Sequence, residues 1–230
     1  MDTKEAISSR TGIPRAAELV VATIAMLAFA PLMLAAAAAI ALTSGPPVIF
    51  RQRRVGLRGR TFVLYKLRTM QGSAAGPQVT SGNDDRITRI GRLLRRTKID
   101  ELPELWNVIK GDMSLVGPRP EVPQYVDLTN PDWEIILRSR PGITDPVTMR
   151  LRNEEEMLRT VEGSLELFYL KVLQPLKLKG YLDYLNARSW WVDAKVLWWT
   201  GVAIVRPGRV PQSPVEDLIA EEFGVTGSAS

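Results

Sequence analysis

The sequence predicts an α+β fold, predominantly helical, carried on a membrane-embedded N-terminal segment. Three observations lead there. Residues 19–42 contain no charged side chain, which is long enough to enter a bilayer at about 20 residues per crossing. Later stretches repeat apolar residues at helical spacing, as in Ile87, Ile90, Leu93 and Leu94. Two short alternating runs flank residues 56–60, the pattern of a β-hairpin. A chain of 230 residues with 45% hydrophobic content can bury one sizeable core. The expected division is 1–44 for an arm and membrane helix, 45–206 for one globular domain with interfacial helices, and 207–230 for a polar tail.

Residues 1–15 are polar, with Lys4, Arg10 and Arg15, and read as a short cytoplasmic arm. For the apolar segment, a cleaved signal peptide is disfavoured because its apolar core runs to only about 7–15 residues. A simple span places its flanks on opposite sides, yet Arg10 and Arg15 precede the segment and Arg51, Arg53 and Arg54 follow it. Cytoplasmic loops prefer such residues, so both flanks point to one side. Pro31, in the middle, removes a helical hydrogen bond and crowds the preceding turn. A re-entrant helix–break–helix centred on Ala30 and Pro31 satisfies both facts, with a kinked full span as the alternative. Carbonyls freed at the break need protein partners, because lipid offers none.

Residues 43–47 are a breaker cluster. Strands are expected over 48–55 and 61–70, with Lys66 and Arg68 on one face of the second. Those charges either guard an exposed edge or contact an anion. Residues 71–83, rich in Gly, Ser and Ala, form a loop. Over 86–98 a cationic amphipathic helix suits a headgroup surface, and it brings Arg95, Arg96 and Lys98 close to Asp100 in sequence.

Asp100 and Glu101 precede an apolar run (Leu102, Leu105, Trp106, Val108, Ile109) with Pro103 near its start and Gly111 at its end, the marks of a capped helix. The helix macrodipole and the arginines upstream are both expected to keep Asp100 ionised. Asp100 as a bare N-cap is the alternative. Gly117-Pro118-Arg119-Pro120 then fixes one guanidinium between two prolines, a stiff mount for a group that forks onto phosphate.

Downstream, residues 131–140 read as a helix bearing Trp133, and 140–146 as a turn with Arg140 on its proline-stiffened corner. Arg150 and Arg152 precede an acidic run, Glu154 to Glu156, either a loop leading into a helix or a substrate lid. Residues 163–186 continue as helix, with Tyr169, Tyr181 and Tyr184 for packing. Four of the six tryptophans lie in 188–205. Indoles prefer the bilayer interface, and Asp193 and Lys195 interrupt the run, so an interfacial helix is expected in place of a second span.

With no cysteine and no histidine, thiolate nucleophiles, imidazole bases and the usual zinc sets are excluded. Oxygen ligands and a hard cation such as Mg2+ remain, held on Asp or Glu and a substrate phosphate. Residues 51–98 carry 13 Lys or Arg against Asp84 and Asp85, a local balance of +11 (13 − 2) within a chain of net +5. Such a field suits anionic headgroups and a nucleotide diphosphate; a solvated or nucleic-acid-binding face is the alternative.

The stretch KIDELPELWNVIKGDMSLVGPRP, with FRQRRVGLRGRTFVLYKLRTM and DDRITRIGRLLRRT upstream and RPGITDPVTMRLRNEEEML downstream, closely resembles the bacterial sugar transferases that are monotopic polyprenyl-phosphate phosphoglycosyl transferases. The resemblance covers roughly residues 15–205. It implies an enzyme at the cytoplasmic face of the bacterial inner membrane, active in the first membrane step of surface-glycan synthesis. A sugar 1-phosphate passes from a UDP-sugar to polyprenyl (undecaprenyl) phosphate, with Mg2+ and an aspartyl-phosphosugar intermediate. On this pattern Asp100 is the nucleophile, Glu101 the second catalytic carboxylate and metal ligand, and Arg119, Lys66, Arg68, Arg95, Arg140 and Arg152 contact phosphates. Two departures stand out: Ala30-Pro31 where relatives commonly carry Ser-Pro, and Asp145-Pro146 where they often carry Gly-Trp. Lipid of the cytoplasmic leaflet is an expected partner and nucleic acid is not; the sugar and the oligomeric state, a homodimer included, stay open. The competing reading is a non-enzymatic adaptor that holds anionic lipid or nucleic acid through the basic half. Release of UMP from UDP-sugars separates the two.

Overall fold

The computed structural model describes residues 11–71, 84–151, 158 and 163–205. The fold is mostly helical, with one antiparallel strand pair and one long apolar N-terminal helix. Helix α1, Arg15–Ser44, is long and apolar enough to cross a membrane. The expected interruption at Ala30 and Pro31 is not seen, since Pro31 lies inside a continuous helix. A proline costs a helix about 3 kcal/mol and bends it without having to end it.

Both ends of α1 pack on the same body. Ala22 joins the main core with Val108, Met113 and Leu115, while Ala36 and Ile40 join a second cluster with Leu67 and Leu94. Between these anchors Leu27 and Leu34 are about 70% exposed (71% and 70%), a bare apolar surface. The Arg15 guanidinium donates to the carbonyls of Met113 at 3.1 Å and of Val108, and Glu18 Oε1 accepts from the Leu115 N–H at 3.2 Å.

The hairpin pairs β1, Ile49–Val55, with β2, Thr61–Leu67, placing Ile49 opposite Leu67 and Val55 opposite Thr61. Its turn needs left-handed backbone at Arg58 and Gly59 (φ 56° and 72°). Along β2 the period of two puts Leu64, in the core, and Lys66 on one face.

Helix α2, Arg89–Arg96, is shorter than its amphipathic pattern. Ile87 pairs with Met70 as a strand-like bridge, and Thr88 caps the helix by accepting from the Gly91 N–H at 2.9 Å. A tight 3-10 turn, Ile99–Glu101, follows, and then α3, Glu104–Lys110, closed by Gly111 at φ 91°.

Two tertiary features were not legible in the pattern. The expected turn at 140–146 holds a strand, β4 (Gly142–Thr144), running parallel to β3 (Ser114–Val116). Its approach is very close: a Cβ on Gly142 would lie 2.1 Å from the Gly117 nitrogen, so neither chain tolerates a side chain at the crossing. The second is Asp145-Pro146, which opens helix α5, Pro146–Arg150; Asp145 is its N-cap and accepts from the Thr148 N–H at 2.8 Å.

Helix α4, Pro131–Ile136, is capped by Asn130 and buries Trp133, ending before the 140 predicted. Helices α6, Leu165–Phe168, and α7, Gln174–Ala187, are joined by a π turn, Tyr169–Leu173. Pro175 has no N–H to offer the carbonyl four residues back, which favours such a widened turn. Tyr169, Tyr181 and Tyr184 pack in the core as expected. Helix α8, Trp190–Val205, exposes Trp190, Trp191, Trp198 and Trp199. Asp193, however, does not interrupt an outer face: it is 0% exposed and points inward.

Candidate active site

The stretch from Lys98 to Glu104 sets three carboxylates into the body of the protein. Lys98 takes a left-handed conformation (φ 57°) that turns the chain out of α2, and the 3-10 turn behind it aims Asp100 inward. Asp100 is only 6% exposed, and its Oδ1 is buried with no hydrogen-bond partner among the described residues. It makes no side-chain cap, so the N-cap alternative does not hold.

Glu101 is the electrostatic hub. Its Oε1 accepts from Lys66 Nζ at 2.8 Å and from Arg119 Nη2 at 2.6 Å. Lys66 is shared, with its Nζ 3.2 Å from Glu104 Oε1, out of alignment for a hydrogen bond. Glu104 is 1% exposed. It is a site residue the sequence reading missed. Its spacing from Glu101, three positions along a helical segment, was the available signal.

Burial and the Glu101 charge raise the Asp100 pKa, with Lys66, Lys98 and Arg95 pulling the other way. The expectation that dipole and arginines hold Asp100 low is therefore corrected. Asp100 sits in a short turn ahead of a two-turn helix, where the dipole is small and desolvation dominates. Glu101 goes the other way: burial favours its neutral form, but Arg119, then Lys66 and Lys98, hold it well below the ordinary range. Burial also raises Glu104, against the pull of Lys66. The Glu101 charge holds Arg119 well above its usual value.

The Arg119 mount is stiff for a reason beyond its prolines. The Gly117 N–H donates to the Thr144 carbonyl at 3.1 Å, and the Gly142 N–H donates to Pro118 at 3.0 Å, so β4 straps the loop from behind. Beside it Arg54, noted in the sequence only as a basic flank, is half-buried and donates to the Pro120 carbonyl at 3.0 Å and to Glu121 at 3.3 Å.

Of the expected phosphate contacts, the structure brings Lys66 and Arg119 together on Glu101. Arg95 lies near enough to act on Asp100 electrostatically, and its Nε donates to Thr69 Oγ1 at 3.0 Å. Two further candidates also reach backbone carbonyls. Arg68 caps the end of α1, donating to the carbonyls of Ser44 at 2.7 Å and of Gly45, and Arg140 donates to the Gly111 carbonyl at 3.1 Å, closing α3. Exposed helix ends leave carbonyls without partners, and a nearby guanidinium is a ready donor. Arg152 lies outside the described residues.

Among the described residues no group of three or more Asp, Glu, His or Cys side chains could hold a metal by itself. The donor chemistry nonetheless fits a hard cation completed by substrate oxygens, because Asp100 Oδ1 is an oxygen acceptor without a partner.

Fold and site together describe a protein with a membrane-length helix and buried carboxylates among cations suited to phosphate. The chain belongs to the bacterial sugar transferase family, whose model matches residues 9–207. It is 41% identical over 189 residues to a UDP-glucose:undecaprenyl-phosphate glucose-1-phosphate transferase of Caulobacter vibrioides, covering 80% of this chain and 66% of that one. To an enzyme of the same description in Escherichia coli it is 34% identical over 195 residues, 82% of this chain and 39% of the relative. A UDP-N-acetylgalactosamine-undecaprenyl-phosphate N-acetylgalactosaminephosphotransferase of Aeromonas hydrophila is 48% identical over 137 residues, 57% of this chain and 32% of that one. The chain thus spans two thirds or less of the length of these relatives.

Proposed function

We propose that the protein transfers a sugar 1-phosphate from a UDP-sugar to undecaprenyl phosphate, releasing UMP. The observation that carries this reading is Asp100: a buried carboxyl with an oxygen unpartnered among the described residues, adjoining Glu101, which itself holds two cations in place. A lipid or nucleic-acid adaptor has no use for such a group.

In the first half-reaction a carboxylate oxygen of Asp100 attacks the β-phosphorus, a phosphorus–oxygen bond forms, and the bond to UMP breaks. In the second, a phosphate oxygen of undecaprenyl phosphate attacks the same phosphorus and the Asp100 carboxylate is regenerated. One displacement becomes two easier ones. Phosphoryl transfer asks for positioning and charge neutralisation, and Arg119 and Lys66 supply both by turning from Glu101 to the diphosphate. Asp100 and Glu101, with substrate oxygens, are the residues to hold Mg2+, which when bound withdraws charge from the phosphate.

The same reading places α1 in one leaflet of the bacterial inner membrane, with both ends at the cytoplasmic face. It is supported by two anchors on one body: Arg15 and Glu18 bind the α3–β3 region, and Arg68 binds Ser44 and Gly45. A helix that crosses the bilayer cannot return both ends to one domain. The bare tryptophans of α8 suit the lipid interface. This reading keeps the division into a membrane segment (1–44) and a catalytic domain (45–206); the tail (207–230) lies outside the described residues.

The test is UMP release in nanodiscs with Mg2+ and undecaprenyl phosphate, screened over UDP-glucose and UDP-N-acetylgalactosamine. With donor but no acceptor, about one equivalent of UMP and a sugar-phosphate mass on the Asp100 peptide are expected. UMP that appears only with acceptor, and no trapped adduct, replaces the two-step path by direct displacement. For the topology, Thr11→Cys and Ser44→Cys should both be labelled only from the cytoplasm; labelling from opposite sides overturns the re-entrant placement.

A further inference from the structure

Asn107 lies in the middle of α3, 0% exposed, and its side chain leaves the helix to bind another element. Its Nδ2 donates to the Val63 carbonyl at 2.7 Å, and its Oδ1 accepts from the Tyr65 N–H at 3.2 Å. Among the described residues β2 belongs to a two-stranded sheet, and the edge away from β1 has no strand beside it. A group that donates to one carbonyl and accepts from the N–H two residues on repeats the hydrogen bonding of a parallel strand residue, here seated opposite Leu64. One amide stands where a third strand would run.

What this controls is Lys66. Leu64 and Lys66 share a face of β2, and from that face Lys66 Nζ reaches Glu101 Oε1 at 2.8 Å and Glu104 Oε1 at 3.2 Å. Glu104 opens the helix that carries Asn107, and Glu101 lies in the turn just before it. The structure therefore closes a ring: α3 grips the β2 backbone through Asn107, and β2 returns a lysine to the carboxylates at the head of α3. A slip of one residue along β2 would turn Lys66 to the opposite face.

We propose that Asn107 is a positioning residue of the transfer site, fixing the register and depth of β2 so that the Lys66 ammonium meets the donor diphosphate. The proposal rests on the reading of Lys66 as a phosphate contact. It goes beyond fold maintenance, because a buried amide that only satisfied backbone groups would have no energetic link to the side chain of one lysine further along the same strand.

The test is a double-mutant cycle on the full chain in nanodiscs, following UMP release from UDP-glucose, or from UDP-N-acetylgalactosamine if the screen selects it. Asn107→Ala removes both bonds to β2, together with the bond from Nδ2 to Asp112 Oδ2 at 3.3 Å. Asn107→Asp keeps the acceptor for Tyr65 but sets a carboxylate against the Val63 carbonyl, and it serves if the alanine variant fails to fold. Each is expected to lower kcat/KM roughly tenfold or more in the parent, yet by no more than about twofold in a Lys66→Ala background. The fall in melting temperature should be the same in both backgrounds. Losses that multiply fully in the double variant overturn the proposal, as does a variant that melts earlier but keeps its kcat/KM. A fully active Lys66→Ala enzyme overturns it too, by removing the group through which Asn107 is said to act. Failure of the transfer reading itself looks different: Asp100→Asn then keeps its turnover.

Discussion

Two buried aspartates, Asp100 and Asp193, show how opposite uses follow from the same residue type. Asp193 is saturated. Its Oδ1 accepts from the Tyr184 hydroxyl at 2.6 Å, and its Oδ2 accepts from the Ile13 N–H at 3.1 Å and from Arg188 at 3.4 Å. It joins the segment leading into α1 to α7 and α8, and a Cβ on Gly12 would collide with it at 1.9 Å. Among the described residues Asp100 keeps one oxygen without a partner, while Lys66 and Arg119 are paired with Glu101. A buried charge with its donors in place stabilises a fold, whereas one left short of them costs stability and is ready for a ligand.

The contrast is broken or sharpened by four measurements. Largest is the loss of turnover in Asp100→Asn, about a thousandfold or more, with the sugar-phosphate adduct gone from its peptide; near-normal turnover would remove Asp100 from the chemistry. Next, Asp193→Ala leaves Arg188 and Tyr184 without their carboxylate, and denaturation should show a loss of about 3 kcal/mol. Turnover per folded molecule should hold, and a selective loss of turnover would make the cluster part of the site. Third, Arg119→Lys keeps the charge but loses the fork, so kcat/KM should drop by about a factor of ten.

The smallest effect is thermal. Because the Asp100 pKa is raised above its ordinary 3.8, the folded state holds that proton more tightly. Its stabilising contribution is present below 3.8 and lost as pH rises through the raised value. At neutral pH Asp100→Asn should therefore melt slightly later than the parent. Glu101, held well below its ordinary 4.5, stabilises above that pH and loses its contribution as pH falls through the lowered value. Glu101→Gln should melt earlier than the parent at neutral pH, with the gap closing in acid. A shift of the same sign for both substitutions would show that the two carboxylates are not poised differently.

Local features were legible in the chain itself. The uncharged run 19–42 marked a long apolar helical segment, though not that it continues through Pro31, alternation and turn residues make the hairpin, and Gly111 ends α3 where its φ of 91° suits a residue without Cβ. Asp100, Glu101 and Arg119 stand out by charge and proline placement, which act over a few residues, whereas Lys66 was marked as a phosphate contact only by the family resemblance. Long-range pairings decided the rest. Arg68 and Arg140 have the same guanidinium as Arg119, but helix ends brought close by the fold took their hydrogen bonds. Glu104 and Asn107 read as ordinary helical residues until β2 packed against them. The direction of the Asp100 shift also waited on the fold, since burial is a property of packing and outweighed every charge the sequence placed nearby.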